Sequence, residues 1–417
     1  MKRMNRIFAL ALGLALSISL LAGCGGGDSS SAAGSSPAAS SADSSGAASE
    51  DAQIQPMDLT GVTDPYFAVS GLERDTVVAT VGDYDITAAE LMYWINTQAE
   101  NYLSQLQYMG YSEAAIPWSD ELEANLLAGA LETAAFYRLL PVIGEELGLE
   151  LTQEDLDFPA QDLAMCVEEL GSEETMTHWL WFRMMDEELY SQLYYGGRIF
   201  QMLQEHYFGE EGELYPTDAE VKAYVEDGLG YYRVKHILLS VKDSTTGELL
   251  DDAAKAEKKA KAEDILAQLQ QADDVVALFD QLMNQYSEDP GLAAYPDGYE
   301  AYPGQMVAEF EQASLQLKDG EISGLVESEH GYHIILRLPL DLEKYRESVV
   351  SIRMDEWIAG QLAIYGVETN EAYAGLQVAE THDKMRSLQV TVQDELIAAL
   401  QALQEKMGNE AAASSAG

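Results

Sequence analysis

The chain has 417 residues, with 72 Asp and Glu against 23 Lys and Arg, a formal net charge of −49 and two cysteines. That length allows two or three domains, and 47% apolar with 23% charged residues excludes wholesale disorder. So negative a chain repels phosphate backbones, which excludes sequence-independent nucleic-acid binding. Two cysteines exclude a disulfide framework and a four-thiolate zinc site.

The chain opens with Lys2, Arg3 and Arg6, followed by an apolar run from Phe8 to Leu21. This is the layout of an export signal, and it is short for a mature transmembrane helix. The run ends Leu21-Ala22-Gly23-Cys24, which resembles the lipobox of bacterial lipoproteins. The resemblance implies cleavage of residues 1–23 and a diacylglycerol on the Cys24 thiol, which places the protein on the extracytoplasmic face of a cell membrane, as in Gram-positive bacteria. The alternative is an ordinary signal peptide with an incidental cysteine. From Gly25 to Gln53 the chain is almost only Gly, Ser, Ala and Asp. Such a composition has no apolar period and makes a flexible tether, with a reach on the order of 30 Å for about 30 residues. The linker is expected to run over 24–72.

Folded sequence is expected from 73. The β-branched run Thr76–Val81, a Gly82-Asp83 turn and Tyr84-Asp85-Ile86 read as a hairpin. Thr87, with Glu90 three residues on, is a capping box that starts a helix. Helices are then predicted over 88–108, 119–147, 153–170, 173–208 and 218–227, separated by Gly110, Pro117, Gly148, Gly171 and Pro216. The large apolar side chains here, Trp94, Trp118, Trp179 and Trp181 among them, have two readings. They are core, or some of the Met and aromatic residues line a groove for apolar segments of other chains. Cys166, in an apolar helical stretch, reads as a buried thiol.

At Tyr231 the composition changes. Residues 231–239 alternate like a strand packed on one face, and helices follow over 251–271 and 274–286. Lys255, Lys258, Lys259 and Lys261 cluster on the first of these, as a docking patch or as a solvated face. Then come a Pro/Gly/Tyr loop, a helix over 305–317, and two strands meeting at His330-Gly331. Glu329, His330 and His333 do not make a metal site on this reading, because i and i+3 in a strand point to opposite faces.

Five blocks in this stretch carry a pattern: Val234-Lys235-His236-Ile237-Leu238, Tyr286-Ser287-Glu288-Asp289-Pro290-Gly291, Gly304-Gln305-Met306-Val307 with Glu309-Phe310-Glu311, Gly320-Glu321-Ile322-Ser323, and Gly331-Tyr332-His333-Ile334-Ile335. In order over about 110 residues, they resemble the parvulin family of peptidyl-prolyl isomerases. The whole layout is similar to the PrsA-type foldase lipoproteins, with the SurA-type chaperones as cousins. The resemblance implies a catalytic network of His236, Asp289, His333 and Ser328, and a proline pocket of Met306 and Phe310. It departs at the family's Gly-x-Leu-Gly loop, where this chain has Pro296-Asp297-Gly298-Tyr299. Tyr299 or Tyr302 is then expected to refill the pocket wall. Read as plain structure, the two histidines bond to each other inside a core, Met306 and Phe310 are an i, i+4 core pair on a helix, and Asp289 caps a turn.

Beyond 340 the chain returns to helix, ending with Leu388, Val392, Leu396, Leu400, Leu403 and Met407 on one stripe. That stripe is expected to dock on the N-terminal helices, which makes the middle domain an insertion. The expected fold is α+β: a helical chaperone domain (73–228 with 341–410) carrying an inserted parvulin-like domain of antiparallel sheet and helices (229–340), then a disordered tail (411–417). The expected function is isomerisation of X-Pro bonds in exported, unfolded polypeptides together with holding of such clients, with no cofactor or metal, no nucleic acid, and the choice of monomer or dimer open. The alternatives are a holdase with a non-catalytic parvulin domain, and a solute-binding lipoprotein; the lack of two repeated α/β lobes counts against the latter.

Overall fold

The structure, a computed structural model, describes residues 54–111 and 118–415. Cys24, the export signal and the Gly/Ser/Ala tether lie outside the described residues. The chain divides into two units: residues to Gly212 together with those from Glu356, and Glu213–Asp355 between them.

In the first unit a short helix α1 (Pro65–Ser70) precedes strands β1 (Val77–Val81) and β2 (Tyr84–Thr87). Helices α2 (Ala88–Tyr108), α3 (Asp120–Glu146), α4 (Gln153–Leu170), α5 (Glu173–Phe182) and α6 (Glu187–Phe208) follow. Their starts are locally encoded. Thr87 and Glu90 form the reciprocal capping box, with Glu90 Oε2 accepting the Thr87 N–H at 2.8 Å. Thr152 with Asp155 repeats it, and Ser119, Ser172 and Asp186 cap the other helices. The chain returns to this unit for β7 (Val367–Thr369), α12 (Glu371–Ala374) and α13 (Val378–Ser415). Val367 pairs with Val81, so β7 completes a sheet of order β2-β1-β7. Met385, Leu388, Val392 and Leu396 of α13 share one core with Leu91, Met92, Leu139 and Leu180. The middle of the chain is therefore inserted into a helical unit whose two ends pack together, and the fold class is the α+β arrangement expected.

Four details differ from the sequence reading. The linker does not extend to 72: Asp64 caps α1, Pro65 opens it, and Tyr66 and Val69 are buried in the core. Asp-Pro followed by two apolar residues is a helix-start signal that composition alone hides. The helix expected over 173–208 is broken, because Met184 takes a left-handed conformation (φ 56°) and is buried. No Gly or Pro marks that break, so packing imposes it. The helix expected over 218–227 ends at Ala223 and continues as a π-helical turn, Tyr224–Gly228. The last helix runs to Ser415 through the expected tail, whose alanines favour helix.

The second unit contains α7 (Asp218–Ala223), β3 (Tyr232–Ser240), α8 (Asp252–Leu269), α9 (Val275–Tyr286), β4 (Tyr299–Ala301), α10 (Ala308–Leu315), β5 (Val326–Ser328), β6 (Gly331–Leu338) and the first part of α11 (Glu343–Tyr365). Its antiparallel sheet has the order β4-β3-β6-β5. Strand alternation divides the side chains between two faces. Ile237, Leu239, Tyr332, Ile334 and Leu336 pack with Ile265, Leu269, Phe279 and Met283 of α8 and α9. Tyr232, Val234 and Ile335 pack with Phe310 of α10 on the other face. The unit is wider than 229–340: Val221 and Val225 cluster with Leu340, Tyr345 and Val349, and Arg346 bonds Asp218 at 2.5 Å and the Pro216 carbonyl at 2.7 Å.

Candidate active site

The two histidines come from the two central strands. Leu238 of β3 pairs with His333 and Ile335 of β6 pairs with His236, so the two imidazoles are diagonal neighbours on the α10 face. Their rings lie 5.3 Å apart and nearly parallel (14°), with Nδ1 to Nδ1 at 3.1 Å. Gly331 makes this register possible. Its φ is +145°, and a Cβ there would sit 2.2 Å from the Leu239 carbonyl oxygen.

Asp289 reaches the pair from the loop after α9. That loop is fastened to the edge of β3: the Glu288 N–H donates to the Leu238 carbonyl at 2.8 Å, Ser287 Oγ accepts the Leu238 N–H at 3.2 Å, and Glu288 Oε2 accepts the Ser240 N–H at 2.8 Å. Lys258 closes on the other Glu288 oxygen. Two further lysines of the sequence cluster face tyrosine rings, Lys259 over Tyr332 and Lys261 over Tyr286, so part of that patch serves the unit's own packing. Asp289 Oδ2 lies 3.0 Å from His236 Nε2, a close electrostatic contact that is off line for a hydrogen bond. Burial pushes the Asp289 carboxyl up, but His236 and Tyr299 outweigh it and hold it at about 2. The residue is an anion at neutral pH.

His333 is 3% exposed, and burial, with the neighbouring His236 and His330, pulls its pKa down to about 3. A neutral His333 fits its partners. Ser328 Oγ accepts the His330 N–H at 3.1 Å and stands 2.7 Å from His333 Nε2, so its own proton is free to donate there. His333 Nδ1–H then faces His236 Nδ1, and His236 Nε2–H faces Asp289. The hydroxyl, the two rings and the carboxylate form a chain that can carry charge toward Asp289 with no covalent step.

Phe310 floors the site. It is 3% exposed and stands edge-on to both imidazoles, at 5.1 Å from His236 and 5.4 Å from His333. Met306 packs against the same cluster, but the helical i, i+4 pairing expected for the two does not form. Helix α10 starts only at Ala308, leaving Met306 in the preceding turn. Tyr299 opens β4, and its O–H donates to Asp289 Oδ2 at 2.5 Å with its ring edge-on to His236 at 5.7 Å. Tyr302, the other candidate for the wall, is half exposed and lies at a tilt against Tyr231 instead, 6.0 Å between ring centres. The structure therefore brings His236, Asp289, Ser328, His333, Phe310 and Tyr299 into one constellation with Met306 at its border. Sequence reasoning missed Ser287 and Gly291. The Ser-Glu-Asp-Pro-Gly run signals a turn, but not which strand the turn grips. Glu329 and His330 lie outside the network, in the turn before β6, 3.8 Å from each other.

Residues 236–338 match the family model described as the PPIC-type PPIase domain (rotamase). The foldase protein PrsA of a Geobacillus species (strain WCH70) is 38% identical over 122 residues, covering 28% of this chain and 36% of that protein. The foldase protein PrsA of Staphylococcus aureus (strain bovine RF122 / ET3-1) is 35% identical over 144 residues, covering 34% and 41%. The chain thus spans well under half the length of these relatives. The crystal structure of PrsA from Bacillus subtilis is 20% identical, covering 64% of this chain and 86% of its own, with a TM-score of 0.22. Residues 236–338 are a PPIC-type peptidyl-prolyl isomerase domain, and over 28–34% of its length the chain is similar to PrsA foldases.

Proposed function

We propose that the protein is an extracytoplasmic foldase that rotates X-Pro peptide bonds of exported, unfolded polypeptides and holds such clients while they fold. The observation that carries the isomerase part is the His236–His333 pair, the second of them buried, set between Phe310 and the Asp289 carboxylate within a matched PPIC-type domain. A prolyl bond turns against a barrier of about 18–20 kcal/mol because twisting breaks amide resonance. The twisted state has a less charged carbonyl oxygen and a more basic nitrogen, so a site accelerates rotation by binding it better than the planar amide. Phe310 and Met306 would hold the ring in a desolvated setting. Ser328, His333, His236 and Asp289 would adjust their shared protons beside the carbonyl as its charge falls.

Holding is assigned to the first unit. Leu156, Phe158 and Met165 of α4 are partly exposed there, and apolar, Met-containing surfaces suit varied clients. Anchoring through Cys24 follows from the lipobox pattern, and the helical domain, inserted isomerase domain and C-terminal segment divide the work in chain order. The altered Pro296–Tyr299 stretch favours one other reading, a holdase whose parvulin domain binds without turnover. A protease-coupled prolyl isomerase assay on the whole protein, run beside an aggregation assay with a model client, separates them. Turnover above background supports the foldase; suppression of aggregation with no turnover supports the holdase.

A further inference from the structure

The stretch Pro296–Tyr299 is where this chain departs from the parvulin loop, and its last residue reaches the acid of the network. The Tyr299 hydroxyl donates to Asp289 Oδ2 at 2.5 Å, and that same oxygen lies 3.0 Å from His236 Nε2. The other oxygen, Oδ1, takes the Gly291 N–H at 3.1 Å. Gly291 is bare for a reason of space. It is absent from the left-handed glycines, yet a Cβ on it would stand 2.0 Å from the Tyr299 hydroxyl oxygen. On its other side the Tyr299 ring meets Tyr295 at 4.9 Å.

We propose that Tyr299 is a positioning residue: its hydroxyl, in a niche kept open by Gly291, holds Asp289 ionised and aimed, and so sets how strongly that carboxylate acts on His236. The groups that face Asp289 are His236 from β3, Tyr299 from β4 and the Gly291 N–H of its own loop, with His333 of β6 acting across His236. Behind them, Tyr295 faces Tyr299 and His330 faces His333. Every donor on a carboxylate lowers its basicity and stabilises its charged form. Taking the hydroxyl away leaves Asp289 easier to protonate, with only His236 and the Gly291 N–H to hold it. The effect on turnover rests on the isomerase reading above; the effect on titration does not.

The test uses the whole protein as wild type, Tyr299→Phe, Gly291→Ala and the double variant. It follows the Asp289 carboxyl by NMR titration, with the pH dependence of kcat/KM alongside. Tyr299→Phe should raise the Asp289 pKa by about 1 unit and move the acid limb of kcat/KM with it. Gly291→Ala should do the same, because its methyl group displaces the hydroxyl. The double variant should match Tyr299→Phe closely, since without the hydroxyl the nearest ring atom, Cζ, stands 3.2 Å from the added methyl and need shift only a few tenths of an ångström. Unmoved titrations in both single variants, or additive effects in the double, overturn the proposal, even where stability falls. If wild type shows no turnover, the isomerase reading fails, and the titrations alone decide the role of Tyr299.

Discussion

Phe310 supports the second unit's core and floors the proposed site, so truncating it separates packing from chemistry. The ring is 3% exposed among Tyr232, Val234, Ala301 and Ile335. Those neighbours sit on hydrogen-bonded strands that cannot close over a hole, so Phe310→Ala should cost about 3–5 kcal/mol. The two edge-on imidazole contacts account for about 0.5–1.5 kcal/mol each. Phe310→Leu keeps most of the volume and should cost under about 1.5 kcal/mol. The assay is urea unfolding with two probes. All five tryptophans, Trp94, Trp118, Trp179, Trp181 and Trp357, belong to the first unit. Their fluorescence follows that unit, while amide exchange at second-unit positions such as Ile237 and Ile334 follows the second. The alanine variant should lower the second unit's transition and leave the tryptophan transition in place. The leucine variant, still folded, should lose about tenfold in kcat/KM, equivalent to about 1.4 kcal/mol of transition-state binding. A loss under about 1 kcal/mol in the alanine variant would refute the packing argument. Wild-type turnover in the leucine variant would refute the ring's role in the site.

Three other outcomes follow from the same geometry. Asp289→Ala removes the anion beside His236 and the charged acceptor of the Tyr299 hydroxyl, the latter bond being worth about 1.5–3 kcal/mol; kcat/KM should fall while peptide binding and client holding persist, as measured by NMR titration with an X-Pro peptide and by light scattering. Acid should weaken the units through different histidines. His333 in the second unit is lowered to about 3, and His382 in the first, buried against Trp118 with Arg386 nearby, is lowered to about 4. The unfolded chain binds these protons first, so stability is lost as pH falls from about 6.5 toward those values. His382→Gln should flatten the tryptophan-reported urea midpoint over that window, and an unchanged slope would count against it. Cys24→Ala should leave the protein unprocessed or soluble; partition into detergent like wild type would overturn the lipid anchor.

Much of this protein is legible in its sequence because the deciding interactions are local. Capping residues such as Thr87, Thr152 and Ser172 mark helix starts through bonds spanning three residues. Alternation over 231–239 puts His236 on a strand of the insertion, the strands meeting at His330-Gly331 put His333 on another, and the Ser-Glu-Asp-Pro-Gly run puts Asp289 at a turn. The apolar stripe on the last helix implied a return to the N-terminal helices, and Leu388, Val392 and Leu396 are buried there.

Other features depend on parts of the chain that meet only after folding. No Gly marks the left-handed break at buried Met184; only the restart at Asp186, an N-cap followed by Glu187 and Glu188, is signalled locally. Strand β7 is three residues whose reason to be a strand is Val81, almost 290 positions earlier. Met306 leaves the helix it seemed to share with Phe310 because α10 begins only at Ala308. Tyr299 read as a lost leucine's replacement, yet it is hydrogen-bonded to the acid of the network. Local propensity and periodicity determined which elements form and which face of each is apolar. The partner of each polar atom was decided by the tertiary structure, because a buried donor takes whatever acceptor the packing of distant segments brings within about 3 Å.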